Sequence, residues 1–175
     1  MILTPDQRNI LYNENGSKNG LINPALRWPK AVVFYKFATS IPQNHRSLII
    51  NSLKEIEKST CIRFQQGVNS KNDYISVTTD APGCFSNVGY LGKSQRLNLG
   101  YGCMIKRAIV HEFLHALGFF HQQSSADRDN FINIHWENIQ KGTEYNFDKY
   151  SSAKITNFGT RYDYGSIMHY GPLAF

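Results

Sequence analysis

The run His111-Glu112-Phe113-Leu114-His115-Ala116-Leu117-Gly118-Phe119-Phe120-His121 restricts the possible folds more than any other part of the chain. At 3.6 residues per turn, residues four apart lie about 40° apart on one helical face, so His111 and His115 can aim imidazole nitrogens at one metal from roughly 2.0–2.1 Å. That geometry demands a helix, and Ile105, Ile109, Phe113, Leu114 and Leu117 supply the apolar surface to bury it. Gly118 then stops it. A glycine turns through φ > 0 without a Cβ clash, so the chain can reverse after Leu117 and bring back His121 as a third ligand. Three protein ligands with an open fourth position suit a catalytic zinc ion, whereas structural zinc sites close all four. Glu112 lies about 100° around the helix from His111, where its carboxylate can reach a water at the open position without becoming a ligand. It is the candidate general base.

Downstream, Ser166-Ile167-Met168-His169-Tyr170 supplies a methionine turn. A long zinc motif followed by such a turn is the metzincin signature. Within the metzincins the chain resembles the astacin family. Three stretches carry the likeness: the zinc motif continuing into Asp127-Arg128-Asp129-Asn130, Cys61-Ile62-Arg63-Phe64 after a helix, and Ser166 to Tyr170. The resemblance covers roughly Leu21 to Phe175.

It implies an α+β, metzincin-like zinc protease. The upper lobe would hold a twisted mixed five-stranded sheet and two long helices, and the lower lobe would be irregular and truncated. One catalytic Zn2+ would sit on His111, His115 and His121, with Met168 as an apolar floor. Tyr170 would be a further ligand that swings away to hydrogen-bond the oxyanion, a task suited to a phenol with an ordinary pKa of about 10. The implied activity is a secreted endopeptidase that cuts peptide bonds with metal-activated water and Glu112 as base. Its partners would be protein or peptide substrates held extended against an exposed edge strand, expected near Tyr90 to Leu99. The alternative is a catalytically inactive, zinc-containing peptide-binding protein or fragment. His45, His135 and His169 lack ligand spacing and are read as non-ligands.

At 175 residues the chain fits one domain, or one domain plus a tail. Residues 1–20 are polar and read as a pro-region remnant or linker. Residues 21–175 read as the catalytic domain without its C-terminal part. Strands are expected at Ala31 to Phe37, Asp73 to Thr79 and Gln95 to Leu99, with further sheet within Tyr74 to Leu91 around a turn at Pro82-Gly83. Helices are expected at Asn44 to Thr60 behind an asparagine cap, at Met104 to Leu117, and at His135 to Tyr150.

The family likeness implies a disulfide between Cys84 and Cys103. Cys61 matches a family cysteine whose partner lies near the end of the catalytic domain, beyond Phe175; the alternative is a buried free thiol. That pairing and the sequon Asn15-Gly16-Ser17 favour secretion. No run of about 18 apolar residues exists to span a membrane. Met1 to Asp6 does not read as a signal peptide, so either the start is internal or an export signal has been left off. The formal charge of +6 is spread over 19 scattered Lys and Arg residues with no nucleic-acid motif, and no nucleic-acid partner is expected. Gln122 stands where the family usually has a glutamate that anchors the mature amino terminus. Activation cleavage is expected near Asn19 or Gly20.

Overall fold

The computed structural model describes residues 20–156 and 158–174. The expectations placed on residues 1–19, including the pro-region and the sequon, lie outside them. The chain divides into two units, one of residues 25–118 and one of residues 20–24 with 119–174.

The first unit is a five-stranded sheet with two helices. Its strands are β1 (Val32–Phe37), β2 (Arg63–Gln66), β3 (Ile75–Thr78), β4 (Cys84–Ser86) and β5 (Gln95–Leu99), arranged β2-β1-β3-β5-β4. The first four in that order run parallel, and β4 closes the edge antiparallel to β5 with Phe85 opposite Asn98. Period-2 patterning explains the central strands: Val33 and Tyr35 in β1, Ile75 and Val77 in β3, and Leu97 and Leu99 in β5 are all buried.

Helix α1 (Gln43–Ser59) buries Ile49, Ser52, Leu53 and Ile56, the i, i+3, i+4, i+7 stripe of an amphipathic helix. Ser52 is tolerated there because its hydroxyl donates to the Leu48 carbonyl at 2.8 Å. The helix begins at Pro42 without a side-chain cap, so the expected asparagine cap is not the start signal. Helix α2 (Lys106–Ala116) buries Ile109, Phe113 and Ala116. Ile105, expected to help bury it, is 56% exposed because it sits before the first turn. Both helices contribute to one core with Trp28, Val33, Leu97 and Leu99.

The expected edge strand near Tyr90 to Leu99 is corrected. β5 is interior, and the outer strands are β2 and β4. β4 is held in place twice. Cys84 and Cys103 form a disulfide, and Asn98 Nδ2 donates to the carbonyls of Ala81 and Gly83 at 2.9 and 2.8 Å. Gly100 must be glycine here, since a Cβ would come 2.3 Å from the Ala81 carbonyl oxygen. Cys61 is exposed at the surface, not a buried thiol, because it lies in the turn between α1 and β2.

The second unit has little regular structure. A short antiparallel pair joins Gly20–Leu21 to Ile155–Thr156. The helix expected at His135 to Tyr150 does not form; the segment holds two short 3-10 turns, Trp136–Asn138 and Glu144–Phe147. Gly142 between them takes φ +90°, and from His135 to Tyr150 only Phe147 and Tyr150, at the far end, are buried, too little apolar surface to hold a helix down. The organiser instead is Arg128, only 4% exposed. Its Nη1 donates to the carbonyls of Gln123 and Phe147 at 2.9 and 2.6 Å, and its guanidinium lies over the Trp136 ring. No helix among the described residues is long and apolar enough to cross a membrane.

Candidate metal centre

Helix α2 presents His111 and His115 from successive turns, their rings edge-to-face with centroids 4.7 Å apart. The end of the helix is fixed from outside: the Trp28 indole donates to the Ala116 carbonyl at 2.8 Å, and the Gly89 N–H donates to that of His115 at 2.9 Å. The indole thereby supplies a partner to a helix-terminal carbonyl, and Gly89 adds a second donor to that of His115. Gly118 takes φ +104° and its N–H bonds the His115 carbonyl, the left-handed turn expected of it. Beyond the turn comes buried His121. Along this eleven-residue stretch, the candidate ligand atoms of His111, His115 and His121 all lie within 4.8 Å of one another.

The residues fit a zinc ion on two counts. Three imidazoles are a zinc donor set that leaves a coordination position free. In addition, Glu112 is 3% exposed, and its Oε2 has no hydrogen-bond partner among the described residues. A buried carboxylate oxygen without a partner is costly, and a cation nearby offsets that cost. Burial pushes the Glu112 carboxyl up to about 7, and a cation held by the neighbouring histidines would draw it back down.

Met168 is buried, and its carbonyl accepts the Gln122 N–H at 2.8 Å. The Tyr170 ring packs on His121 with centroids 4.4 Å apart and stands edge-on to Phe147 at 5.8 Å. The Tyr170 N–H donates to Gln123 Oε1 at 3.2 Å. The methionine turn is therefore bonded to the segment that carries the third histidine. His169 has both ring nitrogens engaged, Nε2 with the Tyr162 hydroxyl at 2.7 Å and Nδ1 with the Tyr170 carbonyl at 2.8 Å. His45 lies in the first turn of α1, and exposed His135 sits beside Glu137.

The profile of the peptidase family described as Astacin matches residues 20–175. The chain belongs to the astacin family. It is 43% identical over 158 residues to the zinc metalloproteinase nas-13 of Caenorhabditis elegans, covering 90% of this chain and 35% of that protein. It is 39% identical over 159 residues to the meprin A subunit alpha of Rattus norvegicus, covering 91% of this chain and 21% of that protein. The solved structure of high choriolytic enzyme 1, a hatching-enzyme zinc protease of the medaka fish Oryzias latipes, superposes with a TM-score of 0.75 at 38% identity, covering 83% of this chain and 72% of that one. The chain spans about a third of the length of nas-13 and about a fifth of that of the meprin subunit. The astacin family uses one zinc ion, and the three-histidine group fits it.

Two residues escape a reading of the sequence. Gln123 carries no periodic or spacing signal. Arg128 lies in a stretch that stands out only for its family likeness, and an arginine inside an otherwise polar segment gives no warning that it is buried.

Proposed function

We propose that residues 21–175 are the catalytic domain of a secreted zinc endopeptidase, and that residues 1–20 are a pro-region remnant or linker. The observation that carries the reading is the three-histidine group with buried Glu112 beside its first member. When bound, zinc supplies Lewis acidity, acidifying a water and polarising the scissile carbonyl. Glu112 takes the proton as the water oxygen attacks the carbonyl carbon. The C–N bond then breaks, and Glu112 returns the proton to the leaving amine. Tyr170 donates a hydrogen bond to the oxyanion of the tetrahedral intermediate. Met168 supports the third histidine from an apolar side. Substrates are protein or peptide chains bound extended, with β4 offering main-chain groups on its outer edge.

The test is hydrolysis of a quenched fluorescent peptide, with a chelator and Glu112→Ala as controls. Activity lost in both controls is expected. No activity in a folded, zinc-loaded sample would favour the peptide-binding reading instead.

A further inference from the structure

Gln123 is 1% exposed, and its two amide atoms have contrasting surroundings. Oε1 accepts the backbone N–H of Tyr170 at 3.2 Å. Nε2 is buried and has no hydrogen-bond partner among the described residues. A buried donor without a partner destabilises a fold, so stability alone would favour a residue without that NH2. Yet Gln123 sits in a segment bonded from two sides. Its own carbonyl accepts from Arg128, and the preceding residue, Gln122, donates its N–H to the Met168 carbonyl. The backbone bond to Met168 and the side-chain bond to Tyr170 form two rungs between residues 122–123 and 168–170. Only the second depends on the identity of a side chain, and it ends on the residue whose phenol acts on the oxyanion.

We propose that Gln123 is a positioning residue: its Oε1 fixes the backbone of Tyr170, and thereby sets where the phenol stands during peptide hydrolysis. The role rests on the oxyanion function of Tyr170. Gln123, itself buried, acts by fixing the 169–170 peptide plane, and with it the Tyr170 Cα from which the ring reaches His121. A group that must be held within a fraction of an ångström for catalysis is commonly secured by a bond of this kind from behind.

The experiment uses the zinc-loaded full chain with Gln123→Met, which keeps length and removes the acceptor, and Gln123→Glu, which keeps an oxygen acceptor. Two readouts are taken. The first, amide hydrogen exchange at Tyr170, needs no activity: exchange is expected to accelerate at least about tenfold in Gln123→Met and to return toward the parent rate in Gln123→Glu. The second is kinetic. In Gln123→Met, kcat is expected to fall about tenfold with KM changed by less than about threefold, and the same substitution in a Tyr170→Phe background is expected to cost less than about threefold further. Unchanged exchange at Tyr170 would overturn the proposal, as would an equal kcat loss in both backgrounds, which would mark Gln123 as acting by another route. If the parent chain cleaves no peptide, the protease reading fails, and the exchange readout still decides whether Gln123 holds Tyr170.

Discussion

Arg128→Met provides a quantitative test of how the second unit is held together. The guanidinium is 4% exposed and bonds two main-chain carbonyls, those of Gln123 and Phe147, which lie far apart in sequence. Methionine fills similar space but donates nothing, leaving both carbonyls short of a partner at about 1–3 kcal/mol each. The cation–π contact adds little, since Trp136 is 48% exposed. The Asp129 pair adds less, because that carboxylate is 56% exposed and keeps Lys149. The expected loss is therefore about 2–6 kcal/mol, large against a typical stability of about 5–15 kcal/mol. The assay is urea unfolding of zinc-loaded protein carrying 5-fluorotryptophan. The two tryptophans of the chain, Trp28 and Trp136, fall in different units, so the Trp136 resonance reports on the affected one. At about 2 kcal/mol per molar urea, its midpoint should drop by about 1–3 M. A shift no greater than that of Asp129→Asn would refute the account of Arg128 as organiser.

Glu112→Gln should bind zinc with the parent stoichiometry and lower kcat by at least about 10²-fold, as measured by metal analysis and peptide hydrolysis on the same sample. Removing zinc with a chelator should lower the melting temperature, and zinc in excess should restore it, because a ligand that binds only the folded state stabilises it. Lys149 and then Arg128 hold the Asp129 carboxyl below its usual value of 3.8. A carboxyl depressed by folding contributes stability that is fully present above pH 3.8 and lost as pH falls through the lower folded value. The stability difference between parent and Asp129→Asn should therefore stay below about 1 kcal/mol at about pH 6 and vanish in strong acid, as followed by denaturant titration. Mass mapping of unreduced protein should find Cys84 joined to Cys103, while native alkylation should label exposed Cys61.

What the sequence announces and what it conceals divide along physical lines. The metal-binding helix is legible because periodicity, ligand spacing and a glycine stop all point the same way, and Gly118 does adopt the positive φ its place requires. Strands such as Ile75–Thr78 and Gln95–Leu99 are legible through alternation and β-branched content. Strand order is not, since the side-chain pattern of β5 is the same for an edge or an interior position. The segment after His135 reads as a helix because scattered apolar residues there mimic a helical stripe, of which the fold buries only Phe147 and Tyr150 at the far end. Arg128 and Gln123 are invisible because their importance lies in main-chain partners, Phe147 and Tyr170, brought to them only by tertiary structure.

The parallel sheet also bears on how the first unit comes into being. β1 pairs with β2 about 30 residues away and with β3 about 40 away, and neither contact can be made by a hairpin. Each requires a long loop to close before any ladder bond rewards it, and such topologies form slowly. Until those loops close, Val33, Tyr35, Ile75 and Val77, all buried in the finished sheet, have no strand to cover them, and a chain in that state is open to aggregation.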